Sequence, residues 1–307
     1  MKLGFVTAIL PELSLNEVLA FAAAEDYDNV EVMCWPMGPA DRRFAGVTHI
    51  DVAGFTQAQA DDVNALCDRH GVGISGLGYY PNPMSNNPQE AETAIAHLLQ
   101  VIDAARLLGL KNVNTFIGND HTRDLEHNFE RFQRVWPAII RHAEERDVRI
   151  GIENCPMYFG QNEWPGGKNM ARSPEIWRRM FAAIPSAHFG LNFDPSHFIL
   201  QMMDYIEPMY EFRDKLFHTH AKDLKIDRKA LNAKGAFAIG WEVPKLPGLG
   251  DVNWNAWISA LTDVGYQGTV SVEVEDDAFR HELSRRKLSL RISHDVLRPL
   301  IGGAARG

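Results

Sequence analysis

The sequence predicts a (β/α)8 barrel, and three observations carry that expectation. Eight short apolar runs alternate with eight stretches of helical periodicity across 307 residues. Four of those runs end in a ligand-type side chain, Glu153, Asp194, His220 and Glu273, and barrel chemistry sits at the carboxyl ends of the strands. The first strand–helix turn, residues 8–13, lacks the glycine-rich phosphate fingerprint of a doubly wound open sheet. One barrel domain spanning 1–307 is therefore expected.

In chain order, Leu3-Gly-Phe-Val-Thr7 reads as the first strand, and Ser14 with Glu17 offers a capping box for a helix carrying Leu15, Val18, Leu19 and Ala22 on one face. Asn29-Val-Glu-Val-Met33 is the second strand. Thr56 caps the next helix, which stops at His70-Gly71. Val72-Gly-Ile-Ser-Gly76 is a weaker third strand, followed by a helix over 89–108 that stops at Gly109. Asn112-Val-Asn-Thr-Phe116 is the fourth, and its helix carries Phe129, Phe132, Trp136, Ile139 and Ala143, with Pro137 expected to kink or break it.

Arg149-Ile-Gly-Ile-Glu153 is the fifth strand, with a long loop over 154–172. Ser173-Pro174 then supplies an N-cap and a first-turn proline. Gly190-Leu-Asn-Phe-Asp194 is the sixth strand, followed by a helical stretch over 198–212 broken near Pro208. Leu216-Phe-His-Thr-His220 is the seventh, followed by a second long loop over 221–253. A helix with Trp257, Ile258, Leu261 and Val264 leads to Thr269-Val-Ser-Val-Glu273, and a last helix over 278–300 closes the chain.

Composition bounds the partners. Hydrophobic residues make up 45% and charged ones 23%, the profile of a water-soluble globular chain. Lys and Arg total 31 against 40 Asp and Glu, a net charge of −9, which argues against nucleic acid or an anionic membrane surface. No apolar run approaches the roughly 20 residues of a membrane span. The N-terminus shows no signal-peptide pattern. Three cysteines without framework spacing point to a reducing, cytoplasmic setting. The aromatic mouth loops leave a homo-oligomer open.

Glu153, Asp194, His220 and Glu273 fall at the ends of strands five to eight, which are neighbours around a barrel. Three carboxylates and an imidazole suit one hard or borderline divalent ion, Mn²⁺ first, with Mg²⁺ or Co²⁺ as alternatives. For each residue alone, a helix cap or a lysine pair is the plainer explanation; the register of all four favours the metal. His197, three residues past Asp194, is placed to hydrogen-bond a substrate. Lys222 either neutralises charge on a substrate or pairs with Asp223 or another mouth acid. Trp35, Tyr79, Tyr80, Phe116 and Trp164 fall in mouth loops, where aromatic faces can stack on a sugar; Tyr79 and Trp164 are the two assigned to substrate. Glu31 points either into the barrel or to a structural partner, Glu275 rivals Glu273, and His218 reads as a satisfied core histidine.

Together, Gly-Ile-Glu153-Asn-Cys-Pro, Asn-Phe-Asp194-Pro-Ser-His197, His218-Thr-His220-Ala-Lys-Asp223 and Val-Ser-Val-Glu273 resemble the xylose isomerase-like barrels of the sugar isomerase/epimerase group. Tyr79-Tyr-Pro-Asn82, Trp164-Pro-Gly-Gly167 and Leu246-Pro-Gly-Leu-Gly-Asp251 extend the resemblance over nearly the whole chain. It implies that Glu153, Asp194, His220 and Glu273 bind the metal, that Glu153 and Glu273 also transfer the proton, and that His197 touches substrate. Ketose 3-epimerases of the group hold substrate with a second glutamate and an arginine at the positions of Phe159 and Ile226, so substrate is held differently here; Glu163 or Lys222 are the stand-ins. The expected activity is isomerisation or epimerisation of a free ketose, aldose or polyol by proton transfer through a metal-stabilised enediolate. The alternative is a lyase using the same enolisation. An apurinic-site endonuclease ranks below both, because between Gly71 and Asp120 the only histidine is His97, within a predicted helix.

Overall fold

The structure, a computed structural model, describes residues 1–38, 44–158, 160, 163 and 167–302. Seven strands come first: β1 (Lys2–Val6), β2 (Asn29–Met33), β3 (Gly73–Gly78), β4 (Asn112–Thr115), β5 (Arg149–Glu153), β6 (Phe189–Phe193) and β7 (Leu216–Ala221). After a two-stranded excursion, β8 (Asp223–Ile226) and β9 (Glu242–Lys245), the chain supplies the last barrel strand, β10 (Thr269–Val272). The parallel barrel closes in the order β1-β10-β7-β6-β5-β4-β3-β2.

The helices on the outside begin as the capping chemistry predicts. Ser14 with Glu17 and Thr56 with Gln59 form complete capping boxes at α1 (Leu15–Ala24) and α2 (Gln57–His70), and Gly71 ends α2 at φ 65°. Asn87 caps α3 (Pro88–Leu107), and Asp124 caps α4 (Leu125–Glu144). Pro137 lies inside α4, which runs on past it, so of the expected kink or break the break does not occur. The buried face of Phe132, Trp136, Ile139, Ile140 and Ala143 carries the helix through the lost hydrogen bond, with Trp136 and Phe132 packed on Phe189 of β6. Ser173 precedes α5 (Pro174–Ala183), but its side chain makes no cap hydrogen bond.

Three further boundaries differ from expectation. The stretch after β6 forms two single-turn helices, α6 (Ser196–Leu200) and α7 (Glu207–Glu211). The region after β7 is not a plain loop: β8 and β9 pair antiparallel around α8 (Arg228–Lys234), with Leu224, Ile226 and Trp241 as a small satellite core. Beyond α9 (Trp254–Asp263), the last helix α10 spans Leu283–Ile301, because Asp276 ties residues 276–279 into a turn first. No helix among the described residues is long and apolar enough to cross a membrane.

Inside the barrel the side chains are polar rather than aliphatic. His218 contacts Asn192 Oδ1 and Ser75 Oγ, both at 3.0 Å, and Asn192 donates to the Tyr80 hydroxyl at 3.1 Å. Burial holds the His218 imidazole down to about 4, so it is neutral, a satisfied core group below the mouth. Gly78 leaves the space above it, since a Cβ there would meet Glu31 Oε1 at 2.8 Å and the Met33 methyl at 2.2 Å.

Candidate metal centre

Glu153 closes β5, while Asp194 and Glu273 lie one residue past β6 and β10, and His220 is the penultimate residue of β7. All four side chains are buried, and one ligand atom from each lies within 4.8 Å of the other three. His220 Nδ1 is 3.7 Å from Glu153 Oε1 and 3.5 Å from Glu273 Oε2.

Each donor is aimed by its own local structure. Asp194 Oδ1 accepts from the Ser196 amide at 2.7 Å, turning the chain into α6 and leaving Oδ2 for the cluster. Asn154 pins the neighbouring strand end: its amide donates to Asp194 O at 2.9 Å and accepts from Asp194 N at 2.8 Å. Asn169 ties the Glu153 turn down, donating to Glu153 O and Cys155 O and accepting from the Ile117 and Gly118 amides. His220 Nε2 lies 2.7 Å from Glu31 Oε2. A carboxylate only accepts, so that nitrogen carries the proton and Nδ1 faces the other three ligands.

The donor set fits a divalent ion. Asp194 Oδ2 and His220 Nδ1 are buried and make no well-directed hydrogen bond. Charged neighbours alone face them, Lys222 Nζ at 3.3 Å from Oδ2 and the Glu273 and Glu153 carboxylates at 3.5 and 3.7 Å from Nδ1, so both atoms are open to coordination. The set is three oxygens and one nitrogen with no thiolate, which suits a hard or borderline ion.

Lys222 occupies the same neighbourhood. Its Nζ is 2.8 Å from Glu273 Oε2, 3.3 Å from Asp194 Oδ2, 3.6 Å from Glu275 Oε2 and 3.8 Å from Glu153 Oε1. Asp223, the other partner considered from sequence, instead binds the 248–254 segment. Burial works against every charge in this group, yet mutual attraction wins. Lys222 keeps Glu273 ionised down to about 2; His197, His220 and Lys222 hold Glu153 well below the carboxylate range; and the acids hold Lys222 and His220 well above theirs.

These groups face a cavity of about 210 Å³ at the barrel mouth, lined also by Tyr80, Trp35 and Phe116. This geometry is the setting for the comparison with known proteins: residues 19–300 match the family model described as "Xylose isomerase-like TIM barrel". The chain belongs to that family.

An uncharacterised relative, YfiH of Bacillus subtilis (strain 168), is 24% identical over 90% of this chain and 93% of its own. Among solved structures, the IolI protein with a bound zinc atom aligns at TM-score 0.73 and 18% identity, covering 97% of this chain and 98% of that one. The probable 3-DHS dehydratase AsbF of Bacillus anthracis aligns at 0.71 and 15%, with 97% and 98% covered. D-psicose 3-epimerase with D-tagatose, from Clostridium cellulolyticum H10, aligns at 0.67 and 16%, with 97% and 100% covered. At these identities the structural likenesses speak to the fold.

In this xylose isomerase-like barrel the remaining sequence candidates separate clearly. His197 lies in the mouth, with Nε2 3.1 Å from Glu153 Oε1 and 3.4 Å from Asp194 Oδ2. Tyr79 does not line the mouth: it is buried edge-on against Trp35 and His97, at 4.9 and 4.6 Å between ring centres. Its neighbour Tyr80 takes the inward position, because consecutive residues of an extended chain face opposite ways. The Tyr80 hydroxyl donates to Glu31. Trp164 and Phe159 lie outside the described residues, Glu163 pairs with Lys168 at 3.3 Å, and Ile226 is buried in the satellite core. His97 sits on α3 against the Cys34 carbonyl at 2.7 Å, away from the cluster. Sequence reasoning missed Asn154 and Asn169; the available signal was a pair of amide side chains in a turn that has to be buried beside two carboxylates.

Proposed function

We propose that this protein is a divalent-metal-dependent enzyme that isomerises or epimerises a small carbohydrate by proton transfer at a carbon beside a carbonyl. The observation that carries the reading is the convergence of Glu153, Asp194, His220 and Glu273 on one point, one ligand atom of each lying within 4.8 Å of the others. These four residues would hold the ion, Mn²⁺ by preference given the oxygen-rich set. A bound divalent ion supplies Lewis-acid polarisation of a carbonyl and its adjacent hydroxyl, which acidifies the carbon between them.

The protein's own groups do the rest. Glu153 and Glu273 rise from β5 and β10 and are separated around the barrel by β6 and β7, so they approach a substrate from different sides. Both are held ionised, which readies either as the base. Return of hydrogen from the second carboxylate draws a proton from solvent, so the product carries a solvent hydrogen. His197 Nε2 and Lys222 Nζ are donors placed to orient substrate oxygens, and the aromatic walls of the mouth exclude water. The mouth shows carboxylates in excess of cations, which supports a neutral sugar over a phosphorylated one.

A lyase reading keeps the same proton abstraction and adds loss of a group from the next carbon; the likeness to a probable dehydratase supports it. The test is incubation of the Mn²⁺-loaded protein with a panel of free ketoses and aldoses in D2O. Deuterium at the carbon beside the carbonyl, with an isomeric product, is the expected result. Turnover without deuterium would point to a hydride shift, and release of water or another leaving group would move the protein to the lyases.

A further inference from the structure

The structure assigns a second subsite beside the metal centre, a largely apolar side cavity that takes an aromatic substituent carried by the reacting sugar. The inference rests on the mouth being the reaction site, as proposed above, and names what else the substrate carries. The mouth's 210 Å³ is below the roughly 300–1,000 Å³ of pockets that enclose larger small-molecule ligands, so it holds one small unit. A second cavity of about 320 Å³ adjoins it, and Pro156, Tyr158, Leu200 and Glu242 line both. The side cavity is therefore next to the mouth, the two sharing a wall made of these four residues.

The chemistry of the walls selects the substituent. Met202, Met203, Ala238 and Trp241 supply methionine sulfur, methyl and indole surface, with Arg172 and Glu242 as the charged residues of the lining. The predominance of apolar surface favours an aromatic ring over a second polyol. The polar groups nearby are partly spent: Gln201 donates to the Arg172 and His197 carbonyls at 3.0 and 2.9 Å, and the Trp241 indole N–H donates to Ala238 O at 2.6 Å. The Tyr158 hydroxyl reaches across from the β5 loop to the Phe237 carbonyl at 3.1 Å, which ties the loop after β5 to the insertion between β8 and β9. The backbone is strained at both sites: Met157, in the mouth wall, has φ 54°, and Met202, in the side-cavity wall, has φ 57°.

The test measures binding of three probes to Mn²⁺-loaded protein by calorimetry: phenyl β-D-glucopyranoside, methyl β-D-glucopyranoside and cellobiose. The phenyl glycoside should bind at least tenfold more tightly than either of the others. Filling the side cavity with Ala236→Trp, at an exposed position of its rim, should remove that preference. Met202→Trp, also exposed, is the second variant should the first fail to fold. Equal or weaker binding of the phenyl glycoside by the wild-type protein overturns the subsite, as does a preference that survives both fillings. Deuterium exchange into ketoses, followed in parallel on the wild-type protein, keeps the two readings apart: exchange without a phenyl preference refutes the side cavity alone, and a phenyl preference without exchange refutes the mouth chemistry alone.

Discussion

Glu31 Oε2 lies 2.7 Å from His220 Nε2, joining the second strand of the barrel to the seventh across its interior. Both side chains are buried, and Tyr80 donates to the same carboxylate. The contact keeps a proton on Nε2 and holds the ring so that Nδ1, the nitrogen a metal would deprotonate, points at Glu153 and Glu273. Glu31 thus positions the one nitrogen in the donor set without belonging to it.

Glu31→Gln should therefore weaken Mn²⁺ binding by roughly 10- to 100-fold, because a neutral amide holds the ring less firmly and lowers its basicity. Titration of metal-stripped protein with Mn²⁺ in a calorimeter measures this directly. An affinity within twofold of wild type would assign Glu31 to packing alone.

Glu153→Gln and Glu273→Gln should each lower turnover by about 10²- to 10⁴-fold, the usual worth of a positioned acid or base. Each also removes a candidate ligand, so rates are compared at saturating Mn²⁺ with metal content checked in the same samples. A wild-type rate in either fully loaded variant would take that carboxylate out of the chemistry.

Much of this arrangement was legible in the chain. Periodicity and caps place the eight barrel strands and most helices, because a buried strand needs its apolar run and a helix needs its first amides bonded. The four donors were legible as strand ends. What was not legible depends on contacts far apart in sequence. Tyr79 and Tyr80 are adjacent and chemically alike, and only the exact end of β3 decides which faces the mouth. Glu31 meets His220 across 189 positions. Residues 221–253 look like a loop because Gly and Pro interrupt them, yet Asp223 gathers the segment into an ordered excursion.

Lys222→Met should act in opposite directions on metal affinity and on stability. The ammonium lies within 4.0 Å of four carboxylates, so its loss leaves buried negative charge uncompensated. Metal-stripped protein should lose about 3–5 kcal/mol of stability, while Mn²⁺, freed from a competing cation, should bind more tightly. Denaturant unfolding with and without Mn²⁺ reads both effects. A variant with unchanged stability and unchanged affinity would contradict the geometry.

Asp223 is the anchor of the mouth's outer wall. Its carboxylate accepts from the amides of Leu224, Gly248, Gly250 and Val252 at 2.9–3.1 Å and from the Trp254 indole at 2.8 Å. Asp223→Ala should cost about 3 kcal/mol or more, since several buried donors lose a charged acceptor together. Gly250→Ala should also destabilise, because the new Cβ would lie 2.2 Å from Asp223 Oδ1. Thermal melts of both variants check this, and a melting point within a degree of wild type for Asp223→Ala would show that the segment is held by other contacts.

His49 supplies the pH dependence that lies outside the metal centre. Burial pushes its imidazole below the ordinary histidine range, and the Leu10 and Leu13 backbone offsets this only in part. The folded protein therefore keeps His49 neutral at a pH where the unfolded chain, with a pKa of about 6.5, already takes up a proton. Between those two pKa values the unfolded state binds more protons, so stability from this group is fully present above about pH 6.5 and is lost as pH falls toward the folded value. His49→Gln removes the titration. The melting temperature of the wild type should thus fall more steeply from pH 7.5 to pH 5 than that of His49→Gln, with the two curves diverging below about 6.5. Parallel curves over that range would show that the His49 ring is solvated enough to charge in the folded state.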